Sequence, residues 1–507
     1  MFVRKKKNTS GSQSVQVIQK IYGKYKVIKI VGSATIWQEI EKLEILAKQE
    51  IERLSGNRQK LFGFENDAII EQAYSLLNNA NIRTLGPEII FGKIYDHIGF
   101  GAISEELFRH LEIARLAFPL SKLKTIDYLH HYQGKILDVD SVYRFLDKLD
   151  DKRKTQVEQI AFDHTKRVLE NISVVFYDMT TLYFEASDED YLRKTGFSKN
   201  GKHQCPQIYI GLFVGLGGYA IGYDIFEGDI YEGRTLIPFI ERISRKFNLD
   251  KPIIVADASL LSNDNIKALQ LNEHQFILGA RMRNEKDNIK SRIIKTKFID
   301  GSSISIKKAD KSRLIVNYSS ARARKDAYNR KRGLTRLEKQ VKSGKLTKAN
   351  INNKGYNKYL KMEGEVVIEI DYDKFNNDAV WDGLKGYVTN AKLSNNEIME
   401  NYKNLWHIEK AFGISKTDLR IRPIYHRLIN RIEADICIAF TAYCIYKELE
   451  RVLYQEKSNL SLKKTAEITH NMYQITYTLP ESKQTKSRLL NMDSEQTELY
   501  QIIQNNF

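Results

Sequence analysis

Residues 172–186 read ISVVFYDMTTLYFEA, and residues 252–261 read PIIVADASLL. Both are apolar, β-branched and aromatic runs, and each carries one Asp in apolar company. The pattern predicts a buried strand ending near Asp178 and a second ending at Asp257. A carboxylate placed after Val-Val-Phe-Tyr or Ile-Ile-Val-Ala is poorly solvated, so burial raises its pKa unless a cation or hydrogen bonds compensate. A single acid of this kind is ordinarily a helix cap or a structural acceptor. Two on different strands of one sheet favour a hard-metal site, because Mg²⁺ takes carboxylate oxygens and keeps positions open for water and phosphate.

Working outward, residues 206–228 predict two strands joined at Leu216-Gly217-Gly218, and 233–247 predict a helix. Residues 263–270 predict a second helix and 275–280 another strand. A strand, a hairpin, a helix, a strand, a helix and a strand follow the order of a ribonuclease-H-like α/β core. Gly215, Gly217 and Gly218 do not make a phosphate loop, since a strand follows them instead of a helix. Upstream, the basic cluster in MFVRKKKNTSGSQS leads into a hairpin, VQVIQ and YKVIKIV around a Gly-Lys turn. From Ile36 to Leu169 apolar residues recur at helical spacing. The segments 121–132 and 138–150 suit a helix-turn-helix, and equally suit a plain helical bundle.

The chain has 507 residues and a formal net charge of +17. Between Arg281 and Glu363 there are 25 Lys and Arg against 7 Asp and Glu, a local +18, so the remainder is close to neutral. Such localisation favours a polyanionic partner such as nucleic acid, with a solvated helix face as the plain alternative. From Arg281 onward the chain holds strand-like runs (303–308, 313–318, then 365–371 and 384–390 beyond the basic segment) and a polar helical stretch at 322–361. Three widely spaced cysteines, Cys205, Cys437 and Cys444, support neither a disulfide framework nor a zinc knuckle. The longest apolar run, Ile436 to Tyr446, is too short to span a bilayer, so a membrane role is not expected.

A third acid is sought on a later helix. In NYKNLWHIEKAFGISK, residues 401–416, Tyr402, Glu409 and Lys416 fall at i, i+7 and i+14, which predicts one shared helical face with Trp406 near the stripe.

The segments YDMTTLYFEA (177–186), VADASLL (255–261) and YKNLWHIEKAF (402–412) with LRIRPIYH (419–426) resemble bacterial insertion-sequence transposases of the DDE type. The similarity is to the group with a Tyr-x2-Arg-x3-Glu-x6-Lys signature. GFSKNGKHQCPQIYIGL (196–212) resembles that group's segment between its first two acids. Leu405 occupies the signature Arg position, and Gly413 stands where an Arg commonly follows the Phe. The resemblance covers roughly 165–450. It implies a ribonuclease-H-like mixed sheet interrupted by a basic, strand-rich insertion, plus a helical N-terminal DNA-binding region. Asp178, Asp257 and Glu409 would be the catalytic triad holding two divalent metal ions, Mg²⁺ or Mn²⁺. Tyr402, Trp406, Lys416, Arg420 and Arg422 would contact DNA. The expected activity is cleavage at element ends and strand transfer into target DNA. The partners would be terminal inverted repeats and target DNA, with a homodimer in the complex. A ribonuclease-H-like nuclease without strand transfer, or a non-enzymatic DNA-binding relative, are the alternatives. The implied setting is the bacterial cytoplasm, at the nucleoid. The expected divisions are 1–165 (arm and helical DNA-binding region), 166–280 (first part of the core), 281–394 (basic insertion), 395–455 (core helices with the Glu) and 456–507 (peripheral).

Overall fold

The computed structural model describes residues 1–54, 65–75, 77–78, 81–196, 201, 204–344, 346–347, 350–352, 355–363, 367–480 and 482–507. Parts of the resembling stretch 196–212, His203 included, and of the strand-like run 365–371 lie outside the described residues.

Two units are distinguished, Met1–Asn81 with Thr476–Ser487, and Ile82–Ile475 with Arg488–Phe507. In the first, strands β1 (Phe2–Lys7), β2 (Gln13–Ile21) and β3 (Lys24–Ala34) form an antiparallel sheet. The basic cluster is therefore a strand and not a free arm. The β2–β3 turn has Tyr22 and Gly23 both at positive φ, as a tight hairpin with right-twisted strands requires. Helix α1 (Trp37–Leu54) packs on this sheet through Ile40 and Ala47 against Val15 and Val17. Helix α2 (Glu65–Ser75) follows.

The second unit opens with β4 (Ile82–Thr84) and helices α3 (Lys93–Ile98), α4 (Glu106–Ala117), α5 (Lys122–Gln133), α6 (Val139–Lys148) and α7 (Asp151–Leu169). Ser121 caps α5 by accepting from the Lys124 amide. Then come β5 (Val174–Tyr183), β6 (Gln207–Val214), β7 (Ala220–Glu227), α8 (Leu236–Phe247), β8 (Ile253–Ala256), α9 (Asn263–Leu271) and β9 (Phe276–Gly279). This is the expected core order. Strand β5 runs five residues past Asp178, so that acid is mid-strand, whereas Asp257 directly follows β8 as expected. The basic segment contributes α10 (Asp287–Lys295), β10 (Ser303–Lys307), β11 (Arg313–Tyr318), α11 (Ser320–Lys342), β12 (Leu360–Glu363), β13 (Val367–Ile370), α12 (Tyr372–Asn377) and β14 (Leu384–Thr389). Helices α13 (Asn395–Lys403), α14 (Trp406–Gly413), α15 (Ile429–Gln455), α16 (Leu462–Thr469) and α17 (Ser494–Asn506) complete it.

Eight strands form one mixed sheet in the order β10-β11-β14-β9-β8-β5-β6-β7. Strands β5, β8 and β9 are parallel, while β6 and β7 continue antiparallel from β5. That is the ribonuclease-H-like arrangement, and no helix of the described residues is long and apolar enough to cross a membrane.

Strands from within the expected basic insertion join the main sheet. Strand β14 pairs antiparallel with β9, and β11 and β10 extend the sheet beyond it. The edge of β9 would otherwise be bare, and β11 places Ile315 on one face and Leu314 and Val316 on the other. Only α11, the β12–β13 hairpin and α12 form a separate lobe, around Leu337, Tyr359, Leu360 and Ile370. Residues from Ile90 to Ala161 share one core with Phe176 and Val255, so the helices before 165 belong with the main sheet. The C-terminal segment is not peripheral either, because α17 buries Leu499, Ile502 and Ile503 in that core.

Candidate active site

Strand register places the site. Tyr177 pairs with Ala256, Ala256 with Leu278, and Gly279 with Tyr387. One residue further along the parallel strands, Asp178, Asp257, Gly279 and Tyr387 fall in a single row across β5, β8, β9 and β14. Neighbouring backbones in such a row are about 4.8 Å apart, and row members share a face. The two carboxylates are therefore side by side and half-buried. Each is aimed by its own backbone: Met179 N–H donates to Asp178 Oδ1 (2.7 Å), and Ser259 N–H to Asp257 Oδ1 (2.6 Å).

Helix α13 crosses this face over β8 and β9, and α14 over β5 and β6. The expected single helix is instead three consecutive pieces. Around Asn404 and Leu405 the amides of Leu405, His407 and Ile408 bond three residues back, which tightens the turn. At Ile414–Asp418 the turn widens, with Leu419 N–H donating to the Ile414 carbonyl. Tyr402 thus ends α13, Glu409 lies in the first turn of α14, and Lys416 lies in the widened turn. Glu409 is exposed, at the helix end whose dipole favours an anion.

The Tyr402 hydroxyl is the meeting point. Its pKa is raised first by burial, then by the charges of Asp257, Tyr387, Glu409 and Asp178, so all three acids act on one phenol. Its ring packs against Tyr387 at 4.8 Å between centroids. Lys416 donates to Thr180 Oγ1, two residues along β5 from Asp178 and on the same face. Trp406 is exposed, its ring tilted on His407 at 4.0 Å with Lys410 over it at 5.6 Å. It is therefore not a buried core residue. His407 is half-buried and its pKa falls to about 4, first through burial and then through Lys447 and Lys410. Arg420 and Arg422 lie in the loop that follows the widened turn. Their loop reaches β5 where Ile424 bridges Phe184, six residues or about 20 Å along from Asp178. Gly413 has helical φ and only open space where a side chain would stand, so no crowding requires a glycine there.

Sequence reasoning missed Lys385. It lies on β14, two residues from Tyr387 on the same face, with its ammonium 4.5 Å from the Tyr402 ring centre and 5.6 Å from that of Tyr387. Burial and Arg322 lower its pKa, and the Glu409 charge opposes them. No local motif marks Lys385, because its position depends on β14 docking against β9. The four-strand row could have suggested it only if that pairing were known.

The donor chemistry of Asp178, Asp257 and Glu409 is all oxygen, which suits a hard divalent cation. Among the described residues, no three of His, Cys, Asp and Glu stand close enough to hold one ion.

In this ribonuclease-H-like sheet Asp178 lies within β5 and Asp257 directly follows β8. The family described as Transposase DDE domain matches residues 170–445, more than half of the chain, and the chain belongs to that family. DNA transposition is its general activity. No curated protein is significantly similar in sequence. Solved structures with partial likeness include a piggyBac transposase synaptic complex with hairpin DNA. Its identity is 11% and its TM-score 0.38, with 76% of each chain covered. Another is a Mos1 transposase paired-end complex with the left transposon end, at 11% identity and TM-score 0.16, covering 34% of this chain and 58% of that one.

Proposed function

We propose that this chain cuts DNA at the ends of an insertion sequence and joins the freed ends to target DNA, using Asp178, Asp257 and Glu409. The observation that supports this most directly is the level pairing of Asp178 and Asp257 with Glu409 on the helix above them. Two divalent cations, Mg²⁺ or Mn²⁺, held by these three carboxylates, would supply electrostatic stabilisation of the charge that develops on the scissile phosphate. Glu409 stands on the helix above the Asp pair, and the buried Tyr402, on which all three acids act, helps exclude bulk water. Lys416 and Lys385 flank the row and neutralise phosphate oxygens on either side of the cut. Trp406 offers an exposed ring to a base near the cleaved end. Arg420 and Arg422 contact DNA farther from the cut. Both ends of an element must be processed together, so the working complex holds two copies of the chain.

The test is incubation with Mg²⁺ or Mn²⁺ and DNA bearing the element's terminal inverted repeats. Metal-dependent cleavage followed by joining, both lost in Asp257→Asn, is the expected result. Cleavage with no joining would make the chain a nuclease. Full activity in Asp257→Asn would remove the acid assignment.

A further inference from the structure

The outer face of α11 carries a row of side chains that nothing in the candidate active site uses. Tyr328, Lys331, Arg332, Thr335, Arg336 and Lys339 follow the alternating three- and one-residue steps of a single helical face, and together they line one surface groove. All six are exposed. The opposite face is the one the lobe buries, through Gly333 and Leu337. Gly333 is required there, since a β-carbon would come within 2.2 Å of the Tyr356 ring. The helix is thus fixed from behind, and its cationic face is held outward.

Charge on this face is uncompensated. Elsewhere on α11, Arg322 faces Asp326 and Arg330 pairs with Asp382. Among the described residues, Lys331, Arg332, Arg336 and Lys339 enter no ion pair with any acid, and no acid lines their groove. Four cations left unpaired on a rigid helix repel one another, and a polyanion relieves that repulsion. From Tyr328 to Lys339 the row is about 17 Å long, which matches about five base-pair steps of a duplex. The helix also starts beside the candidate site, where the Arg322 guanidinium acts on Lys385 and Tyr387.

We infer that the outer face of α11 is a rail for duplex DNA, gripping the phosphate backbone through Lys331, Arg332, Arg336 and Lys339 as the duplex leaves the active site. The inference rests on the proposed action on DNA, but its grip needs no base reading and no metal.

The experiment measures binding of the full chain to a fluorescent duplex of random sequence, in EDTA, by anisotropy over a range of salt. The variant carries Lys331→Gln, Arg332→Gln, Arg336→Gln and Lys339→Gln, substitutions that keep helix propensity. Each lost phosphate contact removes about 0.9 from the slope of log K against log salt. A slope shallower by about 3 to 4, with at least a tenfold loss of affinity at low salt, is expected. An unchanged slope in a variant with unaltered circular dichroism overturns the rail. So does polyglutamate binding the native chain as tightly as the duplex does, which would make the partner an acidic protein. If the fourfold variant does not fold, Arg336→Gln alone should still change the slope by about 0.9. Because EDTA prevents cleavage, a changed slope beside absent cleavage would refute only the transposition reading. Normal cleavage beside an unchanged slope would refute only the rail.

Discussion

The hydroxyl of Tyr402 stands 2.5 Å from where a β-carbon on Gly279 would lie, and the amide nitrogen of Ala258 is 2.9 Å from the same point. Gly279 ends β9 in the acid row, so the missing side chain is what lets the phenol settle between Asp178, Asp257 and Glu409. Gly279→Ala should destabilise the chain by about 1–3 kcal/mol through overpacking. Part of that loss should return in Gly279→Ala combined with Tyr402→Phe, which removes the clashing oxygen. Urea unfolding of the two single variants and the double gives the coupling. Strict additivity would mean the two residues do not press on each other.

Asp178 and Asp257 repel each other as level, half-buried carboxylates. Asp178→Asn should therefore abolish cleavage while leaving thermal stability in EDTA unchanged or raised by up to about 1 kcal/mol. Mg²⁺ or Mn²⁺ should raise the melting temperature of the native chain and leave that of Asp178→Asn unmoved, since only a folded state that binds the ion is stabilised by it. An equal rise in both would place the ion elsewhere.

Lys385 separates charge from shape. Lys385→Arg should retain most end cleavage, whereas Lys385→Met should weaken DNA binding and lower the salt slope by about 0.9. Equal loss in both variants would mean that Lys385 serves only to pack against Tyr402 and Tyr387.

Glu448 is fully buried on α15 and is held by His164 at 3.3 Å and by Arg451. Despite the opposing effect of burial, these partners bring its pKa from 4.5 down to about 2. A depressed folded pKa contributes stability that is complete above the unfolded value and is lost as pH falls through the folded one. The loss should thus run from about pH 5 to pH 2, on the order of 3 kcal/mol in all. Glu448→Gln should be less stable at neutral pH and show a flatter acid limb in chemical denaturation. An unaltered acid limb would assign the acid sensitivity to other groups.

Gly413 sits in an exposed helical position with open space around it. Gly413→Arg should fit without strain and stabilise the helix by about 0.5–1 kcal/mol, seen as a higher denaturation midpoint. A lower midpoint would show that the junction between α14 and the widened turn needs the glycine's flexibility.

The sequence by itself determined much of the core. Strand runs and their turns gave β5 to β9 in order, because two-residue alternation and apolar content are local properties that a buried strand cannot do without. The acids Asp178 and Asp257 stood out because carboxylates in apolar runs are rare, and the Tyr402, Glu409 and Lys416 spacing stood out as a periodicity. Tertiary structure alone decided what these residues face. Whether Asp178 is level with Asp257 depends on the parallel register of β5 and β8, Gly279 joins the row through the pairing of β8 with β9, and Tyr387 joins only through a pairing over a hundred residues apart in the chain. The break of the signature helix at Asn404 and the approach of Lys385 arise in the same way, from α13, α14 and β14 packing on one sheet face. The +17 followed the same division. Composition located the charge in 281–363, but only the fold divided that segment into strands that complete the catalytic sheet and a helix that holds four unpaired cations outward. Local pattern specifies which elements form, and long-range strand pairing specifies which side chains meet, because register is set by partners that no short window of sequence contains.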